Sequence, residues 1–341
     1  MIYSRFKMST QRTEHKELVY AFSQAIQDST SDGAADLLSD YYHVDADWYG
    51  PAPIDALNGR EMIETDFWTP LLEAFPDLQK DDYILFAGEF DGGEWVCATG
   101  NLIGTFENEW LEIPATDQAT WLRYGEFHRI EDGAIVETRM IIDLLDLLRQ
   151  AGYRFFPSLA PETLIPGPTT QEGLLLEEQE EAESERTLQL VEDMIFDGLH
   201  SYEEEGLEGM GMERYWHEDF MWYGPAGTGT TRGIDGFQEY HQGPFLEGFP
   251  DREGANHVAR FADGTYCASA GWPSIHATHT GDGWLGLPAT DESVTMRVMD
   301  FWRREDDLLA ENWVFIDMID LLNQIGVDVF ERVRNDQQYF R

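Results

Sequence analysis

The sequence predicts an α+β protein made of two tandem copies of one domain, each a curved antiparallel sheet with helices packed on one face. Three observations carry this. The chain has 341 residues, enough for two separate buried cores. Motifs of the first half return in the second at a fixed spacing. Within each half, helical periodicity comes first and strand-like runs follow, the layout in which helices gather on one side of an antiparallel sheet.

The repeat is direct. Trp48-Tyr49-Gly50-Pro51 returns 174 residues later as Trp222-Tyr223-Gly224-Pro225. Gly59, Pro70 and Phe75-Pro76-Asp77 return as Gly233, Pro244 and Phe249-Pro250-Asp251, and Pro114-Ala115-Thr116-Asp117 as Pro288-Ala289-Thr290-Asp291. Glu137, Asp143, Asp146, Gln150 and Gly152 match Glu311, Asp317, Asp320, Gln324 and Gly326. The stretch from Cys97 to Trp110 changes length, being four residues longer from Cys267 to Trp284. The expected boundaries are 1–155 for copy one, 156–181 for a proline-rich acidic linker, and 182–341 for copy two. Pro157, Pro161, Pro166 and Pro168 stop helices and disfavour strand ladders in that linker.

Each copy opens with a helix, predicted by Leu18, Phe22, Ala25 and Ile26 in one case and by Leu188, Val191, Ile195 and Leu199 in the other. The Trp-Tyr-Gly-Pro segment reads as a short strand entering a turn. A second helix covers about 60–74, or 234–247. Strands are expected at 82–90, 95–106, 119–130 and 135–142, the last two joined at Glu131-Asp132-Gly133. A short helix, 144–150, closes the copy with Gly152 just past its end.

Composition narrows the function. With 66 Asp and Glu against 22 Lys and Arg, the formal charge is −44. Such a surface repels phosphate backbones and anionic membranes, arguing against both as partners. Aromatic residues at 13% exclude a disordered acidic tail. Only Lys7, Lys16 and Lys80 are lysines. Acid excess with few lysines resembles adaptation to high salt, where screening over about 3 Å at 1 M relieves self-repulsion. Two cysteines make neither a disulfide framework nor a zinc site. With no signal-like start and no long apolar run, a soluble cytoplasmic protein is expected.

In order, Trp-Tyr-Gly-Pro, Phe-Pro-Asp, Gly-Leu-Pro-Ala-Thr, Glu-Asp-Gly and the closing Glu…Asp-Leu-Leu…Gln-x-Gly resemble the SnoaL-like polyketide cyclases of the NTF2-like superfamily, over about 140 residues of each copy. The resemblance implies two cone-shaped domains, each with a ligand pocket inside the cone. It also implies ring closure by intramolecular aldol condensation, with acid/base residues and without metal or cofactor.

That chemistry needs a base beside a carbonyl, a donor for the enolate oxygen and a walled cavity. Asp143 and Asp317 end the last strand; each reads as a cavity acid/base or as the N-cap of the helix that follows. His279, in a Thr-His-x-Gly strand resembling the family's, is an acid/base candidate or a surface strand residue; copy one has Thr105 there. His276 and His279, three apart on a strand, point to opposite faces, which argues against a metal pair. His43 and His217 line the cone's mouth or hydrogen-bond a turn. Trp48, Tyr49, Trp222 and Tyr223 read as pocket wall or core, with one member of each pair facing the cavity. Arg123 and Arg297 are anion-binding donors, or structural partners of Glu137 and Glu311. Three functions follow: an enzyme of cyclase type acting on a small apolar or polyketide-like ligand, a non-catalytic binder of such a ligand, or an assembly module. The two copies are expected to pair their sheets as a pseudo-dimer within the chain.

Overall fold

The computed structural model describes residues 2–198 and 211–339, with side chains described for 11–198 and 211–335. The chain divides into two compact units. One comprises Met1–Phe155, Leu176–Glu178 and Asp317–Arg341, the other Phe156–Leu175 and Gln179–Ile316.

The first unit opens with the helix Ile2–Ile26. Its buried stripe is His15, Lys16, Val19, Phe22, Ser23 and Ile26, recurring at three and four residues. After the helix Ala34–Tyr41 come strands β1 (Tyr42–Tyr49) and β2 (Ala56–Asn58), then a helical stretch from Arg60 to Ala74. Strands β3 (Gln79–Phe90), β4 (Gly93–Thr105), β5 (Ala119–Glu131) and β6 (Ala134–Ile142) follow, and the helix Leu144–Gln150. The sheet order is β2-β1-β6-β5-β4-β3. All pairs are antiparallel except β1 with β6, which is parallel. Those two strands are not joined by a hairpin, so nothing local forces them to run in opposite directions.

The second unit repeats this plan. The helix Glu181–Asp193 continues into a π-helical turn, Met194–Gly198; Leu199, assigned to this helix by periodicity, lies outside the described residues. Strands β7 (Trp216–Tyr223) and β8 (Thr230–Arg232) precede a helical stretch from Gly233 to Gly248. The short β9 (Glu253–Gly254) pairs with β11, and β10 (His257–Asp263), β11 (Tyr266–Thr278), β12 (Ser293–Glu305) and β13 (Leu308–Ile316) complete the sheet. The proline-rich segment lies along this unit. Leu159 and Ala160 donate to the carbonyls of Gly227 and Thr228, and Thr230 donates to that of Glu162.

The recurring motifs work as fasteners. A Cβ on Gly50 would lie 2.0 Å from the Trp48 indole, and one on Gly224 2.2 Å from that of Trp222, so the tryptophan can fold over the turn only if glycine follows. The Asp77 carboxylate of Phe-Pro-Asp accepts from the amide and hydroxyl of Thr105, at 2.6 and 2.7 Å. Asp251 accepts from the Thr278 amide at 2.7 Å. In Pro-Ala-Thr-Asp, Thr116 and Asp117 donate to the Phe106 carbonyl, and Thr290 and Asp291 to that of His279.

Candidate active site

The sheet of each unit has one face under its helices, and the side chains there form the interior. Alternation along β1 and β7 puts Trp48 and Trp222 on this face. The helical stretch above each sheet contains a π-helical turn, Glu64–Trp68 in copy one and Gln238–Gln242 in copy two. The extra residue per turn rotates the side chains that follow it, and both turns lay a ring on the tryptophan. Phe67 packs on Trp48 at 4.4 Å, and His241 on Trp222 at 3.9 Å with 20° between planes.

In copy one the interior is filled. Phe22, Tyr42, Trp48, Phe67 and Trp68 are each at most 3% exposed. Beside them runs a closed polar chain. The Lys80 ammonium sits 2.7 Å from the Ser23 hydroxyl, 2.6 Å from Asp82 and 2.7 Å from Glu126. Tyr124 donates to Asp82. His128 lies 3.2 Å from Glu126 through Nε2 and 2.8 Å from Thr138 through Nδ1, and Thr138 meets the Tyr42 hydroxyl at 3.0 Å. Burial pushes the Glu126 carboxyl up, but Lys80 and His128 outweigh it and hold the group at about 2. Burial likewise opposes the Lys80 charge, and Asp82 and Glu126 raise it above the usual ammonium value. Each charge has a partner, which is the condition for ions to be tolerated in a core.

Copy two differs at these positions. Asp300 stands where copy one has Glu126, Asn312 where it has Thr138, Trp302 where it has His128, Gln242 where it has Trp68 and His241 where it has Phe67. Asp300 and His241 both retain accessible surface. Among the described residues no cation lies against Asp300 as Lys80 lies against Glu126, and its carboxylate accepts from the Asn312 amide at 3.3 Å. Burial therefore dominates and pushes its carboxyl up to about 7, the Asn312 contact opposing only in part. Register carries the site across the sheet: Arg260 of β10 faces Ser269 of β11, which faces Asp300 of β12, and Asn312 of β13 lies beside Trp222 of β7. Burial alone holds the His241 imidazole down at about 3, so it is neutral at ordinary pH.

The residues singled out from the sequence fall largely elsewhere. Asp143 and Asp317 are helix N-caps, accepting from the amides of Asp146 and Asp320, both at 3.1 Å. Asp317 also accepts from the Ala52 amide at 3.0 Å. Strand alternation puts Asp143 and Asp317 opposite Glu126 and Asp300, because register aligns Glu126 with Met140 and Asp300 with Val314. His279 is buried. Its Nδ1 lies 3.1 Å from the Thr290 hydroxyl and its ring 5.2 Å from Phe249. Its counterpart is Phe106 rather than Thr105, since Thr105 and Thr278 share the Asp77/Asp251 clamp. His43 is exposed and accepts from the Asp45 amide, and His217 contacts the Glu305 carbonyl. Tyr49 stacks under Arg139 and Tyr223 on Trp313, both away from the helices. Arg123 is buried with Tyr83 and Asp143 as its neighbours, not Glu137, which binds Arg129 and Arg139. Arg297 lies over Trp272, and Glu311 pairs with Arg303. Of the predicted set, Trp48 and Trp222 face the interiors, and His279 packs beside Phe249 at the end of the helical stretch.

A cavity of about 460 Å³ lies elsewhere in the second unit, against the turn between β12 and β13. Its arginines are already neutralised, Arg303 by Glu311 and Glu305 and Arg304 by Glu183. Among the described residues, no group of three or more His, Cys, Asp or Glu is placed to hold a metal ion, and no helix is long and apolar enough to cross a membrane.

Comparison with known proteins matches both copies to one family. The model of the SnoaL-like polyketide cyclases covers residues 20–151 and 208–325. Similar solved structures include a protein described as a SnoaL-like polyketide cyclase from Jannaschia sp. CCS1, with 19% identity, 42% of this chain and 94% of that one covered, and a TM-score of 0.33. AclR from Streptomyces galilaeus, described as a hydroxylase, has 22% identity, covers 41% and 82%, and gives 0.35. An NTF2-like protein from Burkholderia xenovorans LB400 has 14% identity, covers 42% and 98%, and gives 0.33. No curated protein matches the chain. With more than half of its length matched in two consecutive regions, the chain belongs to the SnoaL-like polyketide cyclase family.

Proposed function

We propose that the second copy is an acid/base catalyst of carbon–carbon bond formation within a small polyketide-like carbonyl compound, with Asp300 as the proton-transferring group. The reading is carried by one observation: an interior carboxyl without a cationic partner, brought by burial to about 7, where it can both take and return a proton. The Asp300 carboxylate removes a proton from the carbon beside a ketone and becomes the acid. The enolate carbon attacks a second carbonyl of the same molecule, forming the new bond. The resulting alkoxide takes the proton back from Asp300, and no atom is gained or lost. Asn312 holds one carboxylate oxygen, and the Trp222 face supplies a flat wall for a planar substrate.

Copy one supports a different role. Its interior is occupied by aromatic rings and by the Lys80 network, so we read it as a non-catalytic structural module. Polyketide-like diketones incubated with the full chain in heavy water provide the test. Asp300→Asn is expected to abolish both cyclisation and deuterium uptake at the acidic carbon, while Glu126→Gln leaves both in place. Equal turnover by wild type and Asp300→Asn refutes the assignment.

A further inference from the structure

We propose that His241 is a second catalytic residue of this site, a neutral imidazole that donates a hydrogen bond to the enolate oxygen while Asp300 carries the proton. The inference rests on the reading of Asp300 above and adds the group that an enolate needs.

The first support is the exchange between the copies. Phe67 and His241 occupy the same place in matching π-helical turns, and each lies on the tryptophan of its strand. The ring and its stacking are kept, and two nitrogens are added. In copy one the phenyl is fully buried; in copy two the imidazole keeps accessible surface. Packing alone is met by phenylalanine, so the nitrogens need another account.

The second support is position. Trp222 under His241 is the register partner of Asn312, and Asn312 contacts Asp300. Strands β12 and β7 are separated only by β13, so their backbones lie about 10 Å apart. A molecule of two fused rings spans that interval. With one edge at Asp300, its other edge meets the ring above Trp222.

The third is the chemistry of the ring. Phe237 and Phe245 flank it at 5.2 and 5.6 Å, and no described residue hydrogen-bonds its nitrogens. Kept neutral by these surroundings, the imidazole retains an N–H and cannot quench the enolate by protonating it outright. A donor fixed in an apolar setting acts most strongly on charge that develops during the reaction.

Binding of 2-naphthol, whose anion has the shape and charge of a planar enolate, tests this on the full chain at pH 10 in molar KCl, where most of the naphthol is ionised. Wild type and Asp300→Asn are expected to bind the naphtholate, the variant at least as tightly because a nearby negative charge is gone. His241→Phe, which restores the copy-one residue, is expected to bind about tenfold or more weakly with an unchanged melting temperature. His241→Gln, which keeps a donor, should recover part of the loss. If His241→Phe binds as tightly as wild type while the Asp300→Asn effect persists, the role of His241 is refuted and the Asp300 site stands. If wild type and Asp300→Asn both fail to bind at millimolar naphthol, the site itself is refuted.

Discussion

Replacing Lys80 with methionine removes the ammonium that holds together the interior of copy one. In the native protein it lies between Ser23, Asp82 and Glu126, all buried. Breaking such a pair from one side costs about 3–5 kcal/mol, because a charge is left without compensation. Glu126 agrees in direction: Lys80 and His128 together hold its folded value at about 2, below the unfolded one. This contribution is fully present above the unfolded pKa, near 4.3, and is lost as pH falls through about 2. Without Lys80 the sign reverses. Only His128 is then left to oppose burial, so the Glu126 carboxyl rises and the variant loses stability as pH rises through the range where the His128 imidazole also loses its proton. At about 2–4 °C per kcal/mol for a unit of this size, the transition of the first unit should drop by roughly 6–20 °C at neutral pH and recover partly near pH 4.5. Thermal unfolding at constant molar KCl, followed by tryptophan fluorescence, reads this. The double variant Lys80→Met/Glu126→Leu should regain much of the loss. A drop of less than about 2 °C for Lys80→Met, or one independent of pH, would refute the reasoning.

Three further outcomes follow from the same structure. Asp300 is raised to about 7, above its unfolded value, so its contribution to stability is present below pH 4 and lost as pH rises through 7; this slope of the second unit's unfolding should disappear in Asp300→Asn, and turnover should rise through the same window. Asp143→Ala and Asp317→Ala should each cost at least about 1 kcal/mol by loss of a helix cap, and Asp143→Ala more because the buried Arg123 loses a neighbouring carboxylate, measured by urea unfolding, with the pH limb near 7 intact; loss of that limb in either would restore it as an acid/base candidate. With a formal charge of −44, the melting temperature should climb steeply between 0.1 and 2 M KCl, and a flat profile would contradict the self-repulsion argument.

The fold was legible because the chain states it twice. Trp-Tyr-Gly-Pro, Phe-Pro-Asp and Pro-Ala-Thr-Asp return because both domains need the same fasteners: a glycine under an indole, a carboxylate clamping a strand end, two amides on one carbonyl. That is also why most repeated residues serve the fold. Asp143 and Asp317 recur as caps, and Tyr49 and Tyr223 recur on the face away from the helices. The proposed site is built instead on positions where the copies diverge, such as Glu126 against Asp300 and Phe67 against His241. Alternation from Arg123 and Arg297 would have put Glu126 and Asp300 on the opposite face of their strands. The π-helical turns were not legible: a run of helical periodicity does not reveal where one extra residue rotates the following side chains.

The burial of Lys80 bears on how the molecule meets reagents. Two of its three lysines, Lys16 and Lys80, are 1% exposed, Lys16 donating to the Glu177 carbonyl. An acylating dye therefore finds these amines masked in the native state, and their labelling becomes a clock for the opening of the first unit. The same masking leaves arginine to supply nearly all the positive charge that faces solvent, so a lysine-directed cross-linker should pass over a protein that a carboxylate-directed one binds readily.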